Sequence, residues 1–182
     1  MRTKFCLIIA GFILFASCSK DSSSNPQSIK VTSTTGLTYQ QSFDKWLSFK
    51  NSVYNNYSYT VTTASFTGVT TETKLVVNNG VVVSRDYAVY TQMPNSPEKA
   101  IVKQWHEAGI SLSTHDNEGA KAITLDKVYN MASTIWLKAD PKTNDIYFET
   151  KNNGIISLCG YYPIGCQDDC FSGIRIDSIS AL

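Results

Sequence analysis

Apolar residues recur at helical spacing in two parts of the chain. Between Leu37 and Asn55 they fall at steps of three and four, which predicts an amphipathic helix with Thr38 as its N-cap. The residues at those steps are Phe43, Trp46, Leu47, Lys50, Val53 and Tyr54. The same spacing predicts a second helix from Thr124, its N-cap, to Lys138. Its buried stripe comprises Leu125, Val128, Tyr129, Ala132, Ile135 and Trp136.

Alternating and β-branched residues predict strands in the remaining segments. The predicted strands are Tyr57–Thr63, Glu72–Val77, Val81–Tyr87, Asn144–Thr150, Gly154–Tyr161 and Gly173–Ile179. Asn79-Gly80 separates the second and third strands, and this pair favours a type I′ hairpin turn because both residues tolerate positive φ. Asn152-Asn153-Gly154 predicts a second hairpin between the next two strands.

The order of these elements predicts one α+β domain over residues 37–182, with an antiparallel sheet and two main helices on one face. Each half begins with a helix and continues with a hairpin. Two helix–hairpin halves sharing the sheet are one interpretation, and a chance likeness of two short hairpins is the other. Residues 99–122 are ambiguous, and a short helix near Val102–Ala108 followed by a loop is one interpretation.

The N-terminal segment has the pattern of an export signal. Arg2 and Lys4 precede an apolar run that ends at Phe15, and Ala16-Ser17 lead into Cys18. We therefore expect a signal peptide over residues 1–17 and a flexible polar tether over residues 18–36. The run is shorter than the roughly 20 apolar residues that a membrane-spanning helix needs.

The cysteine at the end of this segment resembles the acceptor site of bacterial lipoproteins. The resemblance implies that Cys18 carries lipid, including palmitate, and anchors the chain in the outer membrane. An ordinary signal peptide with a chance cysteine is the alternative. Lys20-Asp21 is similar to part of the surface-export signal of Bacteroidota lipoproteins, with Ser22 where a second acidic residue is common. Both the periplasmic and the cell-surface face remain open.

Charge and composition exclude some function classes. Sixteen basic and fifteen acidic residues give a net charge of +1, without a Lys/Arg run, so the chain lacks the electrostatic footprint of a nucleic-acid binder. It also lacks phosphate-binding Gly-rich loops, dinucleotide fingerprints and the Gly-x-Ser-x-Gly signature. We expect no cofactor.

Aromatic residues supply the candidate ligand surface. Tyr offers contact area with a polar tip, so tyrosines on an exposed sheet face suit recognition. The candidates are Tyr57, Tyr59 and Tyr87 with Trp105 and His106, and Tyr90, Tyr161 and Tyr162 extend the set. Trp105-His106-Glu107 is also a candidate patch for a small ligand or metal.

Three cysteines remain after Cys6 and Cys18, in a compartment where disulfides persist. Cys166 and Cys170 bracket a short turn and form the favoured pair, and Cys159 bonded to either of them is the alternative. The leftover thiol, expected at Cys159, is predicted to be buried and inert. The acidic turn between Cys166 and Cys170 is better explained as a clasped loop than as a metal site.

Several motifs together resemble a family of uncharacterised bacterial secreted or lipoprotein domains of unknown function. They are Trp46, Tyr57-Ser58-Tyr59-Thr60, Val77-Asn78-Asn79-Gly80-Val81-Val82, Thr124-Leu125-Asp126-Lys127-Val128-Tyr129, and Asn153-Gly154-Ile155-Ile156 leading to Asp168-Asp169. The resemblance covers most of residues 40–180 and implies the fold more than an activity.

The function expected from these features is a lipid-anchored cell-envelope binding module without catalytic activity, which recognises a protein, peptide or glycan. An envelope-assembly or structural accessory lipoprotein is the first alternative. A hydrolase using Cys159 or His106 is the second, since a thiol activated by a histidine would be a nucleophile.

Overall fold

A computed structural model describes residues 36–93, 96 and 98–182. The expected signal peptide, Cys18 and the tether up to residue 35 lie outside the described residues. The elements are α1 Tyr39–Ser52, β1 Tyr57–Ala64, β2 Thr70–Asn78, β3 Val81–Gln92, β4 Lys99–Ala108, α2 Leu125–Thr134, β5 Asn144–Glu149, β6 Leu158–Pro163 and β7 Ser172–Ala181. Short 3₁₀ turns occupy Gly109–Ser111 and Trp136–Lys138. Within the described part of the chain, no helix is long and apolar enough to cross a membrane.

The seven strands form one antiparallel sheet in the order β4-β3-β2-β1-β7-β6-β5. The predicted mixed α+β class is therefore confirmed, with sheet as the larger part. The first hairpin turns where Asn79-Gly80 predicts it, with φ of 49° and 77° at these two residues. The second pairs β5 with β6, but β6 begins at Leu158 because Asn152 and Ile155 close a separate small bridge first.

The predicted short helix near Val102–Ala108 is wrong, because this segment is part of strand β4. It pairs with β3 from Lys99 to Ala108 and forms one edge of the sheet. A run that places Trp105 and Glu107 on one side and His106 on the other has strand periodicity, and pairing with β3 satisfies its backbone.

The two helices begin at the predicted caps. Thr38 forms a capping box with Gln41, and the Thr124 hydroxyl accepts the Lys127 backbone N–H. Both helices end earlier than predicted, so Tyr54 and Ile135 are exposed rather than packed. Tyr54 has a φ of +50° beyond the helix end, and the chain tightens into a 3₁₀ turn after Ile135.

The core joins α1 and α2 to strand β1. The Trp46 ring packs edge-on to Tyr57 at 5.0 Å and stacks with Tyr129 at 6.4 Å between centroids. The buried Tyr129 hydroxyl lies 2.7 Å from the Ser42 hydroxyl and accepts the Ile156 backbone N–H at 3.2 Å. These contacts are buried and mostly aromatic, and they hold both helices against β1.

Candidate ligand surface

Strand register assigns the side chains near β4 to two opposite faces. One ladder runs Ser178, Thr60, Lys74, Asp86, His106 across β7, β1, β2, β3 and β4, and we call this side the outer face. The next ladder runs Ile179, Tyr59, Leu75, Arg85, Glu107, and we call its side the covered face. Successive residues of a strand alternate between these faces, so neighbouring candidates in the sequence are separated by the sheet.

Tyr57 and Tyr59 lie on the covered face and are not part of an exposed surface, which corrects the expectation for both. They are 0% and 1% exposed. The Tyr57 hydroxyl accepts the Leu125 backbone N–H at 3.0 Å, and the Tyr59 hydroxyl donates to the Ile123 carbonyl. Burial raises the pKa of both phenols. Their role is to join β1 to the start of α2.

The side chains of Tyr87 and Trp105 also lie on the covered face, whereas both residues contribute to the lining of a depression on the outer face. They are cross-strand partners whose rings stack at 4.9 Å. The His115 ring also stacks with Trp105 at 4.5 Å, and the Arg85 guanidinium lies 5.0 Å from the Trp105 centroid. Tyr161, which packs against the core, is a further tyrosine that does not reach the outer face.

A buried ion pair holds the segment 109–123 on the covered face. Arg85 and Glu107 are each 1% exposed, and Arg85 Nε donates to Glu107 Oε2 at 2.9 Å. The same carboxylate accepts the backbone N–H groups of Ser113 at 2.8 Å and His115 at 2.6 Å, and His115 Nδ1 lies 2.7 Å from it. Ser113 has a φ of +71°, and its amide is turned toward the carboxylate.

The electrostatics of Glu107 follow from these bonds. Burial alone would raise the pKa of the carboxyl, but hydrogen bonds from Arg85, His115 and Ser113 outweigh burial and hold the pKa well below its usual range. Arg85 Nη1 also donates to the Ala120 carbonyl at 2.7 Å. Sequence reasoning missed Arg85 altogether. The signal was a charged residue at an inward strand position, which can be read only once β3 and β4 are paired.

The Trp105-His106-Glu107 triplet is thus divided between the two faces. His106 is exposed on the outer face, and its Nδ1 lies 2.6 Å from Asp86 Oδ1. If the imidazole is neutral, this bond assigns the Nδ1 proton and leaves Nε2 as an acceptor. Among the predicted surface residues, His106, Tyr90 and Tyr162 have side chains that the structure places on the outer face.

The outer face carries a depression of about 620 Å³ over β1–β4. Ala88 occupies its middle, and Tyr90 and Ile101 form one end. The other end is polar and comprises Thr60, Lys74, Asp86, Gln104 and His106. Glu72, Tyr87 and Trp105 also line it. Burial, and after it the negative charge of the Glu72 carboxylate, raise the pKa of Tyr90.

A second group of aromatic rings lies at the other end of the outer face. Tyr147 meets Tyr162 edge-on at 5.7 Å, and Tyr162 lies 5.0 Å from Phe171. Gly160 and Gly173 face each other beneath Phe171, and a Cβ at Gly160 would lie 2.5 Å from that ring. Phe171 therefore covers a stretch of backbone that has no side chains of its own.

The cysteines agree with the favoured pairing. Cys166 and Cys170 lie at disulfide distance, with a Cα–Cα separation of 6.4 Å. Cys159 is free and buried, and burial raises the pKa of its thiol.

Across residues 36–93, 96 and 98–182, no group of three or more His, Cys, Asp or Glu side chains is placed to hold a metal ion.

Comparison with protein-family models, with curated proteins and with solved structures finds no match to this chain.

Proposed function

We propose that this chain is a lipid-anchored binding module of the cell envelope without catalytic activity, which holds its ligand on the outer face of the sheet. The depression carries the proposal, since it gathers exposed side chains with unused hydrogen-bonding capacity. Lys74 and Gln104 make no side-chain hydrogen bond or ion pair with any described residue. On the covered face, by contrast, Arg85 and Glu107 are bonded to one another and to the loop.

The distances that separate His106 from Thr60 and from Cys159 support binding over hydrolysis by either of these nucleophiles. His106 with Asp86 resembles a general base and its orienting carboxylate. The hydroxyl of Thr60 stands three strands away on the same ladder, about 14 Å at 4.7–4.9 Å per strand. Cys159 stands on β6, five strands from β4 and on the covered face, about 24 Å away. Both distances exceed the reach of a nucleophile–base hydrogen bond.

The proposal includes the arrangement of the helices. Trp46 of α1 and the first residue of α2 both contact Tyr57, so we place both helices on the covered face. That arrangement leaves the outer face available to a ligand. The two helix–hairpin halves would then meet at the central pair β1–β7.

Site-specific photo-crosslinking on cells that carry the lipid-anchored chain tests the outer face. A photoreactive amino acid in place of Gln104, in the depression, should form a crosslinked species. The same amino acid in place of the exposed Asn130 of α2 is the matched control and should form none. Crosslinking at Asn130 alone, or at neither position, would contradict the proposal. A single abundant envelope protein joined at Gln104 would favour the accessory-lipoprotein alternative.

The membrane anchor has its own test. Replacing Cys18 by Ser removes the proposed lipid acceptor, so the chain should leave the membrane fraction and appear in the soluble fraction. Cys6→Ser, within the expected signal peptide, is the control and should leave fractionation unchanged. A Cys18→Ser protein that stays with membranes would remove the lipoprotein part of the proposal.

A further inference from the structure

We infer that the outer-face depression binds a neutral saccharide, an inference that rests on the proposed binding function and names its ligand class. A sugar ring over Ala88 would place its C–H groups against Tyr90 and Ile101. Its hydroxyls would then meet Lys74, Gln104 and His106.

The charge of the depression favours a neutral ligand. Lys74 is a cation, whereas Glu72 and Asp86 are anions on neighbouring strands, and His106 adds a positive charge only when protonated. The net charge of the residues that line the depression is therefore about zero or −1. An anionic ligand would meet two carboxylates, and a cationic one would meet the Lys74 ammonium, so either would lose part of its attraction to repulsion.

The hydrogen-bonding groups suit hydroxyls in particular. Lys74 donates, Asp86 accepts, and the Gln104 amide and the Thr60 hydroxyl do both. The His106 imidazole is held by Asp86 through Nδ1 and presents Nε2. A hydroxyl both donates and accepts, so several of them on one ring can satisfy this mixed set. A group that only accepts, such as a phosphate, would leave the carboxylates without partners.

The position on the sheet disfavours an extended peptide. Peptides bind sheets most strongly by adding a strand to an edge, where backbone N–H and C=O groups are unpaired. The depression lies on a face, over strands whose backbone groups pair from β1 through β4. Recognition here uses side chains alone, which matches a ligand that presents hydroxyls and an apolar C–H surface.

The shape follows from one small residue. Ala88 lies between Asp86 and Tyr90 on the outer face of β3, and its neighbours Glu72 and Gln104 are longer. Because the Ala88 side chain is a single methyl group, the longer side chains around it enclose a shallow concave surface. The volume of about 620 Å³ lies within the range of small-ligand sites.

Binding of short neutral oligosaccharides to the full chain in detergent tests this inference. The probes are oligosaccharides of glucose, galactose, mannose or xylose, with uronic-acid and sulfated sugars as charged counterparts, measured by calorimetry. We expect at least one neutral sugar to bind. Ala88→Trp should abolish binding by filling the floor, and Ser180→Trp, on the outer face of β7, is the matched control and should bind as the parent does.

Gln104→Ala removes an exposed side chain without touching the core, so it keeps the test valid if Ala88→Trp fails to fold. It should weaken binding by about tenfold, the effect of losing one good hydrogen bond. Failure of every neutral sugar to bind, binding of charged sugars alone, or unchanged affinity in both depression variants would overturn the inference.

The two levels of proposal remain distinguishable. If neutral sugars fail but photo-crosslinks at Gln104 persist on cells and disappear with Ala88→Trp, the saccharide assignment is wrong and the binding module stands. If the crosslinks are also absent, both proposals fail.

Discussion

Replacing Glu107 by Gln tests the buried pair that holds residues 109–123 on the sheet. The substitution keeps the shape of the side chain but removes its charge and replaces one acceptor oxygen by an NH₂ donor. That donor would face the N–H groups of Arg85, Ser113 and His115, all of which now donate to the carboxylate. The Arg85 guanidinium, 1% exposed, would lose its counter-charge.

The expected loss is about 3–5 kcal/mol of unfolding free energy, the usual effect of breaking a buried ion pair by removing one partner. A domain of this size has roughly 5–15 kcal/mol in total, so the variant would lose a large share of its stability. With a urea m-value of about 2 kcal/mol/M, the unfolding midpoint should fall by about 2 M.

Urea unfolding of the full chain, followed by tryptophan fluorescence, measures this shift. Trp105 is a local reporter because its ring stacks on His115 of the same loop. Glu118→Gln is the matched control. Glu118 lies in the same loop and bonds Lys103 and Trp105 of β4, but its side chain is 36% exposed, so the unfolding midpoint should change far less. Equal midpoints for Glu107→Gln and Glu118→Gln would refute the reasoning.

The stabilisation of the folded state by ionised Glu107 should depend on pH. The folded state holds the pKa of Glu107 below its usual value, which is about 4.3 in an unfolded chain. As pH falls through that value, the unfolded chain takes up a proton before the folded one does. The stabilisation is therefore complete above about pH 5 and is lost progressively at lower pH. The difference in unfolding free energy between the parent and Glu107→Gln should decrease from pH 6 toward pH 3. A difference that stays constant over this range would contradict the prediction.

Three further outcomes are expected. Tyr129→Phe should reduce the unfolding free energy by about 1–3 kcal/mol in urea titrations, because the buried Ser42 hydroxyl and a backbone N–H lose their partner; an unchanged midpoint would exclude that bond. Gly119→Ala should lower the melting temperature more than Gly68→Ala. Both glycines have positive φ, but only at Gly119 would a Cβ lie 2.9 Å from neighbouring side chains. Equal effects would argue against packing of the loop at Gly119 on the sheet. Cys159 should resist alkylation in the folded chain at pH 8 and react after denaturation, as followed by peptide mass spectrometry; rapid labelling of folded protein would contradict its burial.

Local features were readable from the sequence alone. The hydroxyls of Thr38 and Thr124 begin the helices, and Asn79-Gly80 turns the first hairpin, because each depends on residues only a few positions apart. The α+β class followed from the order of these elements. The pairing of Cys166 with Cys170 was similarly local, since four positions separate the two residues.

Strand β4, Lys99–Ala108, could not be predicted from local pattern. In β4 the strand formers Ile101, Val102 and Trp105 are mixed with charged and polar residues, and the strand is completed by backbone bonds to β3. Without that pairing, the sequence did not indicate that Trp105 and Glu107 lie on one face of a sheet and His106 on the other. The Arg85–Glu107 pair joins positions 22 residues apart and was therefore outside the reach of local pattern.

The candidate surface shows the same division between local pattern and tertiary contact. Alternation along β1 places Tyr57 and Tyr59 on one face, and the sequence determines that they share it. Which face is covered depends on where α1 and α2 dock, and only the tertiary structure decided that these tyrosines bond to the start of α2 while Lys74, Asp86 and His106 stay in water. The physical reason is that periodicity specifies two faces for a strand, whereas burial is a property of what packs against each one.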